Sequence, residues 1–210
     1  MKKFIAIVFG TLVLSGCVDL KQEPLSFLTP ENITYNEANL TNTANGLYRT
    51  LWHWNYGYCC RLFTLTLGAD DVIGGMLSKA RVIVIDELRA DATISELDVH
   101  WFWKNMYDLI LNSNLMIEGI LGSNEGGVSE KEKQAYLGEA YFMRAFAYYN
   151  LVRIFGDVPG IVDSKSTQDI LGNKNIGRNK VEDIYDKIII PDLILAEDYL
   201  PEVPRTGDNT

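Results

Sequence analysis

The segment YLGEAYFMRAFAYYNLVRIFGDVP, residues 136–159, carries the clearest structural pattern in the chain. Two rows of mostly apolar residues run along it at helical spacing. The first row is Ala140, Met143, Ala147, Leu151 and Ile154, and the second is Tyr141, Ala145, Tyr148, Val152 and Phe155. A helix with apolar residues on two faces is sandwiched between neighbours, so the segment predicts a helix packed on both sides.

The ends of this helix also follow from the sequence. Ser129 and Glu132 stand at capping-box spacing before it. GDVP at residues 156–159 predicts its end, because glycine caps a helix and proline prevents its continuation. Four small residues within it allow neighbouring helices to approach closely: Gly138, Ala140, Ala145 and Ala147.

Two earlier segments also predict helices. Thr34 and Glu37 form a second candidate capping box, and a helical row follows them. That row consists of Leu40, Ala44, Leu47, Tyr48 and Leu51. The second segment has a helical row of its own, and Gly122 after that row predicts the end of the helix. Its members are Met106, Ile110, Ser113, Ile117 and Ile120.

A last helix is predicted to begin with Asn179 and Glu182 as capping residues. Its inward row is predicted to be Tyr185, Ile189, Leu193, Ala196 and Leu200. Pro191 lies within that row, and the prediction is either a kink or a second helix that has Pro191 in its first position.

The region between the first two helices has less pattern. RLFTLTLGADDVIGG, residues 61–75, fits either a helix or an extended stretch, and Arg81 to Ile85 is a candidate short strand. Paired helices with small-residue-rich inner members are typical of tetratricopeptide-type units. The sequence therefore predicts an all-α, tetratricopeptide-like helical-repeat fold with loops and one candidate strand.

The chain begins like an exported protein. Lys2 and Lys3 precede an apolar run, Phe4 to Leu14, that is shorter than the roughly 20 residues needed to span a bilayer. LSGC, which ends at Cys17, resembles the bacterial lipobox, in which the cysteine is lipidated. We therefore predict a signal peptide over residues 1–16, a lipidated N-terminus and tether over 17–33, and a helical domain over 34–210.

Composition and charge narrow the possible partners. The chain is 47% hydrophobic and 22% charged, which is typical of a globular protein. A net charge of -9 disfavours nucleic acid, because phosphate binding requires Lys and Arg. Cys59 and Cys60 are adjacent and are interpreted as packed residues, and with only two histidines in the chain we predict no metal site and no cofactor.

Several motifs resemble, in order, the N-terminal half of the SusD/RagB family. They are ANGLYRTL, GADDV, WKNMYDLILNSNLMIEGI, residues 136–159, and VEDIYDKIIIPDLILAEDYLP. The resemblance implies a nutrient-binding lipoprotein, anchored in the outer membrane of a Bacteroidetes-type bacterium and exposed at the cell surface. It implies that the protein works with a SusC-like TonB-dependent transporter, captures an oligosaccharide or a peptide, and is not an enzyme. Family members are more than twice this length, so we also predict that the chain is a truncated product or a fragment.

The candidate ligand-binding residues lie in the loop WHWNYGY and shortly after it. They are Trp52, Trp54, Asn55, Tyr56, Tyr58, Asp70 and Asp71. Aromatic faces stack on the C–H face of a sugar ring, while amides and carboxylates hydrogen-bond its hydroxyls. The alternative is that these aromatics fill the core. Trp101 and Trp103 are interpreted as packing residues, and Glu139 with Arg144 as a structural ion pair.

The sequence is therefore compatible with three functions. The first is a surface nutrient-binding lipoprotein, and the second is a lipid-anchored helical-repeat module for protein interaction, or a fragment without transport function. The third is a surface glycosidase. Asp70 and Asp71 are adjacent, whereas glycosidase carboxylates flank the scissile bond at a set separation, so the glycosidase is the weakest of the three.

Overall fold

The structure, a computed structural model, describes residues 36–51, 87, 92–122, 127–164, 166 and 176–203. Their helical elements, in chain order, are α1 (Glu37–Leu51), α2 (Ala92–Gly122), α3 (Glu130–Phe155), α4 (Val181–Ile184), a π-helical turn (Tyr185–Ile189) and α5 (Ile190–Tyr199). Within the described residues, β pairing is limited to an isolated antiparallel bridge between Val158 and Asn179. The predicted all-α fold is confirmed in this part of the chain, and the candidate strand Arg81–Ile85 lies outside it.

Helix α3 lies between α2 and α5, both of which pack against it. The two predicted apolar rows are buried over most of their length, with Ala140, Met143, Ala147 and Leu151 in the first and Ala145, Tyr148 and Val152 in the second. The exceptions are Ile154, which is 37% exposed, and Tyr141 and Phe155, which are half-buried. The prediction of a helix packed on two sides is therefore confirmed.

Gly138 permits a close contact between α3 and the end of α5. A Cβ atom at this position would lie 3.1 Å from the backbone nitrogen of Leu200, the residue that follows α5. The absence of a side chain therefore lets the C-terminal end of α5 approach the backbone of α3, as the small residues of the sequence predict.

Both predicted ends of α3 are confirmed. The Ser129 hydroxyl accepts a hydrogen bond from the Glu132 N–H at 3.3 Å, and the Glu132 carboxylate accepts one from the Ser129 N–H at 2.9 Å. At the other end, Gly156 adopts a φ of +70° and donates its N–H to the Val152 carbonyl. A positive φ favours glycine because a Cβ atom would clash there.

Helix α1 begins differently from the prediction. Glu37 is its first residue, and the Asn36 side-chain oxygen accepts a hydrogen bond from the Asn39 N–H at 2.9 Å. The predicted Thr34–Glu37 capping box is therefore wrong, because Asn36, itself a strong N-cap residue, places the helix start later. The predicted row is buried at Leu40, Ala44 and Leu47.

Helix α2 buries every member of its predicted row and ends at Gly122 as predicted. It extends further toward the N-terminus than the pattern indicates, as far as Ala92.

The start of α4 is capped by the preceding chain, and the predicted Asn179 cap is wrong. Lys180 occupies the N-cap position without a side-chain hydrogen bond. The Asn179 side-chain oxygen instead accepts a hydrogen bond from the Gly160 N–H at 2.8 Å, and the Val181 N–H donates to the Asp157 carboxylate at 3.1 Å. The Asn179 side chain therefore binds the segment after α3 and does not cap the helix that follows it.

A separate helix α5 is present, but it begins at Ile190, so Pro191 is its second residue and not the first as the second alternative predicted. Proline lacks an N–H, and inside a helix its ring clashes with the carbonyl four residues back. The preceding turn is widened to π geometry, with the Ile190 N–H bonded to the Tyr185 carbonyl, five residues back. Right-handed helical dihedrals are kept on both sides of this turn, at Ile184 and Ile190.

The inward face of this C-terminal segment is partly different from the predicted row. Ile189 and Ala196 are buried as predicted, but Leu193 and Leu200 are 42% and 37% exposed. Asp192 is buried in place of its neighbour Leu193. The wider π turn rotates the residues that follow it relative to the predicted inward row. The ion pair of the buried Asp192 stabilises this arrangement.

Candidate ligand-binding site

The predicted ligand-binding residues lie outside the described residues. This holds for the loop members Trp52, Trp54, Asn55, Tyr56 and Tyr58, for Asp70 and Asp71, and also for Cys17, Cys59 and Cys60. The structure does describe the helix that leads into the loop, since α1 ends at Leu51. These site assignments remain predictions.

Helix α1 is held by packing and by a side-chain hydrogen bond to α3. Leu40, Ala44 and Leu47 are fully buried, and α1 contacts both α2 and α3. The Thr41 hydroxyl lies 2.8 Å from the Tyr136 hydroxyl of α3, at hydrogen-bond distance. The predicted loop therefore follows a helix whose position is fixed by the rest of the fold.

Trp103 packs within an aromatic cluster, which confirms its interpretation as a packing residue. Its ring centroid lies 4.9 Å from that of Phe155 in an edge-to-face arrangement, and 4.9 Å from that of Tyr107. Trp101 is half-buried, and its ring lies edge-to-face with His100 at 5.6 Å. The Trp103 cluster joins α2 to the last turn of α3, since edge-to-face rings attract.

Arg144 forms the centre of a buried polar cluster, but with a different partner from the predicted one. Its Nε donates to Oδ2 of Asp192 and its second terminal nitrogen to Oδ1, both at 2.7 Å. The other terminal nitrogen donates to Asn114 Oδ1 at 2.7 Å and to the Val162 carbonyl at 3.2 Å. The carboxylate that binds Arg144 through two hydrogen bonds is therefore that of Asp192 in α5, and not that of Glu139.

This Arg144 cluster joins four parts of the chain: α2, α3, α5 and the segment after α3. Arg144 and Asp192 are 6% and 3% exposed, so neither can meet a ligand from solvent. Burial raises the pKa of the Asp192 carboxyl, and the hydrogen bonds and charge of Arg144 oppose that effect. The arrangement stabilises a packing geometry and offers no reactive group to a substrate.

Two tyrosines fix the segment that follows α3. The Tyr148 hydroxyl donates to the Ile161 carbonyl at 2.8 Å and accepts from the Ile161 N–H at 2.7 Å, and the Tyr107 hydroxyl donates to the Pro159 carbonyl at 2.8 Å. Burial raises the pKa of both tyrosines, so both hydroxyls stay protonated. No local sequence pattern predicts these bonds, since the phenols and carbonyls belong to different elements.

A third face of α3 carries an exposed aromatic row that the sequence analysis missed. We define the outer row as Phe142, Phe146, Tyr149 and Arg153. Phe142 and Tyr149 are 41% and 39% exposed, and the rings of Phe142 and Phe146 are nearly parallel at 6.3 Å. Arg153 lies over the Tyr149 ring, 5.0 Å from its centroid, and donates to the Tyr149 hydroxyl at 3.0 Å. Spacings of three and four residues would have revealed this row.

The described part of the chain shows neither a metal-binding group of side chains nor a membrane-spanning helix. No group of three His, Cys, Asp or Glu side chains there is arranged to hold a metal ion. Among the helices of the same residues, none is both long and apolar enough to cross a membrane.

Sequence comparison identifies relatives along most of the chain. A profile of the SusD-like family, described as starch-binding and associating with the outer membrane, matches residues 28–208. SusD-like protein P2 and SusD-like protein P25, both from Formosa agariphila, are 31% and 25% identical and cover 96% and 94% of this chain. The chain spans only 39% and 38% of the lengths of these two curated relatives.

Comparison with solved structures agrees with the helical fold. A SusD superfamily protein from Parabacteroides distasonis matches with a TM-score of 0.57 and 28% identity, over 77% of this chain and 33% of its own. A laminarin-binding SusD-like protein matches with a TM-score of 0.66 and 21% identity, over 80% of this chain and 35% of its own. Surface glycan-binding protein A from Bacteroides fluxus matches with a TM-score of 0.64 and 22% identity, over 83% of this chain and 36% of its own.

Proposed function

The chain belongs to the SusD-like family, and on that premise we propose that it binds a glycan at the bacterial surface and delivers it to a TonB-dependent transporter. The observation that carries the proposal is the family match over residues 28–208. Two proteins of similar fold are described as binding laminarin and as a surface glycan-binding protein, which favours a glycan over a peptide.

The proposed anchor is Cys17, in agreement with the outer-membrane association in the family description. It follows a short apolar run and the triplet LSG. Acyl chains on this residue would hold the protein at the outer membrane, because two or more chains anchor stably where one does not. The partner in this proposal is a SusC-like transporter in the same membrane.

The proposed glycan site is the loop Trp52–Tyr58 with Asp70 and Asp71. Its aromatic rings supply stacking surfaces, and Asn55 and the two aspartates supply hydrogen bonds to sugar hydroxyls. The buried contacts of α1 with α2 and α3 support this choice, because they hold in place the helix that precedes the loop.

Binding without chemical conversion is part of the proposal. Among the described residues, the buried carboxylate of Asp192 and the buried guanidinium of Arg144 are bonded to each other. Stacking on a few rings gives affinities of about micromolar to millimolar, which suit capture followed by release to a transporter.

Calorimetry with the mature chain tests the proposal against laminarin, soluble starch, galactomannan and a peptide mixture. We expect binding of at least one glycan, with no product formed in parallel chromatography. Changing Trp52 and Trp54 together to alanine should abolish binding while the helical circular-dichroism signal is kept.

The matched control changes two exposed aromatics elsewhere, Phe142 and Tyr149 of the outer row, to alanine. This control should keep glycan affinity. Loss of binding in the control but not in the loop variant would place the site on α3. Binding of a transporter without any glycan would favour the protein-interaction module, and product formation would favour a glycosidase.

A further inference from the structure

We draw no further inference here: the strongest candidate, the exposed aromatic surface of helix α3 formed by the outer row Phe142, Phe146, Tyr149 and Arg153, is a helix face for which nothing in the described part of the structure shows what covers it.

Discussion

Helix α3 and the C-terminal segment Val181–Tyr199 have similar apolar patterns in sequence, yet only one of them is a regular helix. α3 runs without interruption from Glu130 to Phe155. The C-terminal segment consists of α4, a π turn and α5, with Pro191 at the second junction. Apolar spacing predicted the inward face well in α3 but less well after the π turn, where Asp192 replaces Leu193 inside. The comparison shows that periodicity fixes a helix face only while the hydrogen-bond register is uniform.

The largest expected effect comes from breaking the contact that joins these two regions. Asp192→Ala should leave the Arg144 charge buried and unpaired, and should lower the free energy of unfolding by about 3–5 kcal/mol. Chemical denaturation measures this change. The control is Asp183→Ala, which removes the exposed pair with Lys187 and should have a far smaller effect.

The double variant Arg144→Met with Asp192→Leu distinguishes an unpaired charge from lost packing. Replacing both charges with apolar groups of similar volume should recover most of the stability lost in Asp192→Ala. If the double variant is as unstable as the single one, the pair is needed for more than mutual compensation.

The next effect tests the two-sided packing of α3. Ala140→Leu and Ala145→Leu each add volume to a different buried row, and each should destabilise the protein by about 1–3 kcal/mol. Gly46→Ala in α1 is the control, because a Cβ atom there meets nothing within 4 Å and should add helix stability. Unchanged melting of either leucine variant would mean that its face of α3 is open.

A smaller effect distinguishes how the two regions begin. Ser129→Ala removes the side-chain cap of α3 and should destabilise the protein by about 1 kcal/mol. Lys180 has no side-chain cap bond, so Lys180→Ala should change stability much less. Similar losses in both variants would contradict the difference seen between the two helix starts.

The effect of the Ser129 cap should also depend on pH. Hydrogen bonds from the Ser129 side chain and backbone lower the pKa of Glu132 from its ordinary value of 4.5. A carboxyl group whose pKa is lower in the folded state stabilises the protein at pH values above its unfolded-state pKa. That contribution is lost as the pH falls through the folded-state pKa. The stability difference between the parent and Ser129→Ala should therefore narrow below about pH 4.5, which denaturation at several pH values measures.

The smallest effect concerns the junction itself. Pro191→Ala restores an N–H but leaves the Arg144 cluster in place, so the π turn should persist. The expected loss is below about 1 kcal/mol, from the greater freedom of the unfolded chain. Amide exchange at residues 185–190 checks the register, and protection that changes to a regular α pattern would show that Pro191 alone maintains the turn.

The sequence predicted those parts of the fold that depend on local spacing. The buried rows of α2 and α3, the Ser129 cap and the Gly156 end all follow from residues within a few positions of each other. The SusD-like family was recognisable from ordered motifs. The loop proposed as the glycan site remains a prediction from aromatic composition, because residues 52–58 lie outside the described residues.

By itself the sequence determined which segments are helical and which of their faces are apolar, because both depend on periods of three and four residues. Only the tertiary structure decided the partners of polar residues that lie far apart in the sequence. Arg144 binds a carboxylate 48 positions away instead of Glu139, and Asn179 holds Gly160 instead of capping its own helix. These pairings depend on which groups the packed helices bring within hydrogen-bond distance. A buried polar group that is left without a hydrogen bond then destabilises the fold.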